Sequence, residues 1–130
     1  MSADYPSMTT AEIRSKFLNF FEERGLKLYP SSSLVPDDPS LLLANAGMNQ
    51  FKEYYQGKKT MKEIGAISCQ KCVRTNDIDC IGEDGRHLSF FEMLGDFSFG
   101  GVSKQQACAW AFELITKEFK LPLGRLYFTV

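Results

Sequence analysis

Apolar positions near the start of the chain recur at helical spacing. Ile13, Phe17, Phe20 and Phe21 fall at i, i+4, i+7 and i+8, one stripe of an amphipathic helix. Thr9-x-x-Glu12 stands before the stripe as a capping box, in which hydroxyl and carboxylate satisfy the free amides of a helix start. Arg24-Gly25 closes the helix, with glycine at the left-handed position. The pattern then shortens. Leu26 to Tyr29 predicts a short strand, and Pro30 with three serines a loop. Pro36-Asp37-Asp38-Pro39 predicts a turn, because each proline fixes φ and removes a donor. Leu41 to Ala44 predicts a buried strand. Asn45 to Met48 predicts a tight turn into a short helical piece from Gln50 to Tyr55, which Gly57 closes.

The stretch from Ile67 to Gly101 organises the rest. It reads as a strand up to Val73, a polar turn-rich run from Thr75 to Gly85, and a second bulky segment from Leu88 to Leu94. Length, the Phe90-Phe91 pair and the following Gly95 favour a strand for that segment, although a seven-residue run also admits a helical turn. Antiparallel pairing brings Arg74 and the Arg86-His87 pair together beside an aromatic face. A guanidinium fork suits phosphate oxygens and a flat ring suits a purine. The plainer alternative is a hairpin with a solvated charged loop and two core phenylalanines. Beyond it, Ser103-x-x-Gln106 is a second capping box. Cys108, Ala111, Phe112, Ile115 and Phe119, widened by Trp110 and Leu114, predict a helix of about 16 residues. Pro122 and Gly124 break the chain, and Arg125 to Val130 alternates like a strand. The order helix, short strands, hairpin, helix, strand predicts an α+β domain with a mostly antiparallel sheet. The final strand, apolar and without a turn after it, is read as belonging to something longer.

Composition narrows the function. With 44% hydrophobic residues in 130, the chain can bury a core of one domain or part of one. Its net charge of -1 supplies no global field for nucleic acid, so such contact is local. Lys52, Lys58, Lys59, Lys62, Lys71 and Arg74 form a basic stretch diluted by Glu53 and Glu63, readable also as a solvated face. No run approaches the roughly 20 apolar residues of a membrane helix. The start, residues 1–8, reads as a flexible tail with no signal-peptide pattern, and four cysteines without such a signal point to the cytoplasm. Cys69-x-x-Cys72 has the spacing of half a zinc knuckle, with Cys80 and His87 as imaginable further ligands. Strand alternation, however, sets Cys69 and Cys72 on opposite faces and favours ordinary core or edge cysteines. A Cys–His nucleophile with His87 has no third, orienting residue, and no glycine-rich phosphate loop is present.

Several segments occur together in order: Thr10-Ala11-Glu12-Ile13-Arg14, Ser31-Ser32-Ser33-Leu34-Val35-Pro36, Asn45-Ala46-Gly47-Met48-Asn49-Gln50-Phe51-Lys52, Lys71-Cys72-Val73-Arg74 and Phe90-Phe91-Glu92-Met93-Leu94-Gly95. From about residue 9 to residue 130 the chain resembles the N-terminal part of the alanyl-tRNA synthetase family. The resemblance implies a partial class II aminoacyl-tRNA synthetase catalytic core over 9–130. It also implies ATP and Mg2+ as cofactors, and alanine and tRNA(Ala) as partners. Members join alanine to ATP, release pyrophosphate, and pass the alanyl group to tRNA.

The hairpin corresponds to motif 2 of that family. The resemblance makes Arg74 the arginine that holds the α-phosphate and offsets charge as the alanine carboxylate attacks. The second strand of the motif carries Arg or His, three residues, then the Phe that stacks on adenine. Arg86 with Phe90 and His87 with Phe91 both match; the family's Phe-Phe-Glu-Met register prefers His87 and Phe91. Leu88 replaces a second histidine, so only its backbone is available to ATP. A Gly-Gly-Lys-His insert found after the arginine in many relatives is absent at Thr75-Asn76, and the family's Gly-Asp-Tyr-Phe reads Gly100-Gly101-Val102-Ser103. Motif 3, the alanine pocket and the editing zinc ligands are expected beyond Val130, so the piece alone is expected to be inactive. Two alternatives are a non-catalytic nucleic-acid or protein-binding module of the same fold, with self-association into a homo-oligomer, and a small zinc protein.

Overall fold

The structure, a computed structural model, describes residues 7–76 and 78–129. Most of the expected tail, one residue of the Asn76-Asp77 turn and the last residue of the expected final strand lie outside those bounds. Helix α1 spans Thr10–Glu22 with Thr9 as its cap. The Thr9 hydroxyl accepts from the Glu12 amide, and the Glu12 carboxylate accepts from the Thr9 amide at 2.7 Å. Gly25 takes φ +89° just past the helix, where a side chain would be strained.

Strand β1 (Lys27–Leu28) pairs parallel with β2 (Gly65–Val73), and β2 pairs antiparallel with β3 (Phe90–Ser98). The three-stranded sheet, ordered β1-β2-β3, is therefore mixed. β3 starts two residues later than the expected segment and runs past Gly95 to Ser98. Gly95 does not end it, because pairing with β2 continues from Ser68–Gly95 to Gly65–Ser98, and the missing side chain leaves room for the Phe97 ring. A Cβ on Gly95 would meet Phe97 Cζ at 2.5 Å.

Successive residues of a strand point to opposite faces, so the register sorts the side chains. Ile67 and Leu94 face the core made by Phe17, Phe20 and Phe21 of α1, Leu26, Trp110 and Leu114. Arg14 of α1 pins this layer to the sheet through Glu92 at 2.7 Å. The opposite face, carrying Gln70, Cys72 and Phe97, packs on a second aromatic cluster. Phe51 is its centre, fully buried, with Phe97 at 4.8 Å and Tyr29 at 5.4 Å. A 3-10 turn (Gly47–Phe51) and the short helix α2 (Lys52–Tyr55) deliver Phe51 there, as the expected turn and helical piece.

Three expectations are corrected. Leu41 to Ala44 is not a strand. Leu42 is 88% exposed and only Ala44 is buried, because the segment meets β2 at its end alone, through the Ala44 carbonyl and the Val73 amide. Helix α3 (Lys104–Glu113) continues as a π-helical turn over Leu114–Glu118. Its cap is half a box: the Ser103 hydroxyl accepts from the Gln106 amide. Trp110, Leu114 and Phe119 face the core, while Cys108 and Phe112 are exposed. Leu126 to Thr129 forms no strand among the described residues. No neighbouring strand receives its hydrogen bonds, and Tyr127 is 94% exposed.

Candidate functional site

Arg74 follows β2 directly. Its amide donates to the Ser89 carbonyl at 2.9 Å, which extends the β2–β3 ladder one step beyond the last paired residues, Val73 and Phe90. Residue 74 thereby lies on the face of Cys72 and Phe91. The Arg74 guanidinium carbon stands 5.3 Å from the centre of the Phe91 ring. Its Nε donates to the Asn45 carbonyl at 3.1 Å. One edge of the fork is thus tied to backbone and one face lies toward a ring, leaving the two terminal nitrogens to solvent on an exposed residue. An exposed fork with two spare N–H₂ groups can grip an anionic oxygen pair. A recess of about 260 Å³ opens beside it, lined by Leu41, Asn45, Val73, Thr75 and Asn76 among others. A larger cavity, about 630 Å³, lies between the serine loop and α2. There Lys52 is already paired with Asp38, and Arg74 does not line it.

The alternation leaves Phe90 opposite Val73 on the other face. Of the two registers the sequence admits, only the one with Phe91 puts its ring beside Arg74. His87 and Leu88 are exposed and precede β3. The structure does not bring His87 onto Arg74. Its Nδ1 sits 2.6 Å from Asp84 Oδ2, while Asp84 Oδ1 accepts the amides of Arg86 and His87 at 2.9 and 3.0 Å. Those amides, first the His87 one, together with the ring hold the Asp84 carboxyl down at about 2. Asp84 therefore orders the loop end that presents His87. The sequence shows it only as a turn residue, although an Asp followed by Gly and by open amides is the signal of an Asx turn.

Cys69 and Cys72 do face opposite sides of β2, so they cannot share one ion as a pair. Burial pushes both thiols up. Among the described residues no group of three or more His, Cys, Asp or Glu converges as a metal site. No helix among the described residues is long and apolar enough to cross a membrane.

A mixed sheet with helical elements packed on both faces carries Arg74 at the mouth of its antiparallel ribbon. The chain belongs to the tRNA synthetases class II (A), whose family profile matches residues 12–130. Within that class the chain is similar to alanine–tRNA ligases. It is 55% identical over 118 residues to the chloroplastic/mitochondrial alanine–tRNA ligase of Sorghum bicolor, covering 91% of this chain and 12% of that protein. It is 51% identical over 130 residues to the alanine–tRNA ligase of Synechocystis, covering 100% of this chain and 15% of that protein. The corresponding protein of Pseudothermotoga lettingae is 51% identical over 123 residues, 95% of this chain and 14% of its own length. The chain thus spans only 12–15% of the length of these relatives.

Proposed function

We propose that this chain is the part of an alanine–tRNA ligase that grips ATP for the activation of alanine. The observation that carries the reading is the exposed Arg74 fork, anchored by the Asn45 carbonyl and flanked by Phe91. The terminal nitrogens of Arg74 hold the α-phosphate. They offset the charge that builds as the alanine carboxylate attacks phosphorus and pyrophosphate leaves, an electrostatic role with no proton transfer. Each such charge-assisted hydrogen bond is worth about 1.5–3 kcal/mol. The Phe91 ring carries the adenine. His87, held on Asp84 through Nδ1, turns its Nε2 edge to a phosphate oxygen; Leu88 offers backbone alone. Magnesium, when bound, neutralises phosphate charge and is held chiefly by the phosphates themselves. The β2–β3 loop faces the acceptor end of tRNA(Ala), which takes the alanyl group in the second step.

The ligase activity belongs to the longer protein, since motif 3 and the alanine pocket are not in these 130 residues, and the isolated piece charges no tRNA. The four free cysteines suit a reducing compartment such as the cytoplasm. The test is Arg74→Ala in the full-length ligase. Alanine-dependent ATP–pyrophosphate exchange is expected to fall at least about tenfold, equivalent to about 1.4 kcal/mol of transition-state stabilisation. Unchanged exchange would remove Arg74 from the site.

A further inference from the structure

The Asn45–Gln50 turn is built around one side-chain oxygen. Asn49 Oδ1 accepts the amide of Asn45 at 3.2 Å and the amide of Ala46 at 2.7 Å. The Ala46 N–H and the Asn45 C=O belong to the same planar peptide unit and point in opposite directions across it. The Asn45 C=O is the acceptor of Arg74 Nε. Fixing the N–H side of that plane therefore fixes the direction of the carbonyl on the other. A peptide that donates is also a stronger acceptor, because the two hydrogen bonds polarise each other.

The turn itself cannot drift away from the sheet. The Ala44 carbonyl accepts the Val73 amide at 2.9 Å, so consecutive residues of β2's end are held, Val73 by backbone and Arg74 by side chain. The Gly47 amide lies 3.2 Å from the Met93 sulfur of β3. The Gly47 Cα lies so near Phe97 that an added Cβ would meet its ring at 3.1 Å. Gln50 next door binds the buried Gln70 of β2 at 3.1 Å.

We propose that Asn49 is a positioning residue for Arg74, acting through the Asn45–Ala46 peptide plane; this rests on the reading of Arg74 as the α-phosphate ligand. Asn49 does not touch the nucleotide. It selects the guanidinium orientation in which Nε is spent on the carbonyl and the two terminal nitrogens face outward.

The experiment uses the full-length ligase, with ATP–pyrophosphate exchange and thermal unfolding measured together. Asn49→Ala is expected to lower kcat/KM for ATP about fivefold, the scale of one lost hydrogen bond. In an Arg74→Ala background the same change is expected to do less than about twofold, because residues acting through one another are not additive. Asn49→Asp keeps an oxygen that accepts both amides and is expected to retain most of the activity. Equal losses in both backgrounds, or an Asn49→Asp variant as impaired as Asn49→Ala, overturn the proposal. So does full activity of Asn49→Ala when Arg74→Ala alone is crippled. If Arg74→Ala is itself silent, the site reading fails and this inference falls with it. If Asn49→Ala does not fold, Asn49→Ser replaces it, with a hydroxyl too short to bridge both amides. Failure of that variant too makes the role one of folding and overturns the proposal.

Discussion

Arg74 owes its state to neighbours distant in sequence. Asn45 lies on a turn far upstream and Phe91 on the next strand, and each occupies one side of the guanidinium. Two adjacent phenylalanines then differ sharply in consequence. Phe91 shares the face of Arg74, whereas Phe90 pairs with Val73 on the other. Base–aromatic stacking is worth about 1–3 kcal/mol by alanine substitution. Phe91→Ala in the full-length ligase is therefore expected to raise KM for ATP about tenfold, with Phe90→Ala near the parent value; steady-state exchange kinetics compare them. Equal effects would place adenine elsewhere. The pattern of the chain showed both rings. It did not show which one lies beside Arg74, because alternation needs a register, and register is a property of two strands together.

At the scale of elements, local signals held where the interactions are local. The Thr9 cap closes within four residues, so its box was readable. Thr9→Ala is expected to cost about 1 kcal/mol of stability, read from urea unfolding; no change would show that the helix end is held by packing alone. The loop before β3 carries its own acid sensitivity. Asp84 has its carboxyl lowered from 3.8 to about 2 by the His87 and Arg86 amides and the His87 ring. A depressed carboxylate contributes order above its unfolded value and loses it as pH falls through its folded value. Protection of the Arg86 and His87 amides against exchange, taken relative to the intrinsic rate at each pH, is thus expected to fall between about pH 4 and pH 2. Asp84→Asn is expected to flatten that response, and an unaltered profile would deny Asp84 its role. β2 is the reverse case. Ile67 is fully buried between α1 and the rest of the sheet. Its replacement by alanine is expected to cost about 2–5 kcal/mol, measured the same way; a cost below that would mean the layer can collapse around the gap. The expected strands at Leu41–Ala44 and in the last segment are not formed among the described residues, Leu41–Ala44 and Leu126–Thr129, for a shared reason. A strand is only realised where a neighbouring strand takes its hydrogen bonds, and neither of these runs pairs with one.

Over the whole molecule, the apolar residues exceed what one small sheet covers. Leu42, Phe90, Phe112, Tyr127 and Phe128 are all exposed, and the Phe112 and Phe128 rings lie tilted against each other at 5.9 Å. Among the described residues β3 pairs on one side only in the β1-β2-β3 order, and none of them covers its other edge as a strand. An open edge beside apolar surface templates association. The 130-residue chain by itself is expected to self-associate at micromolar concentration, seen by sedimentation velocity. A strictly monomeric species would show that these residues are tolerated in water. The same surplus explains why composition predicted a substantial core and yet the buried set is small. Burial is counted against the neighbours actually present.

What the linear order of residues settled unaided were features closed by short-range chemistry: the capped first helix, the glycine at its end and the turn into α2. It also carried the family likeness, which depends on residue identities alone. Three-dimensional packing decided the rest: the parallel seat of β1, which ring lies beside Arg74, and the backbone carbonyl that aims the guanidinium. Each of those depends on which face or which atom of a remote segment arrives at a given point. No spacing along one chain specifies that until the sheet register and the turn at Asn45 are both in place.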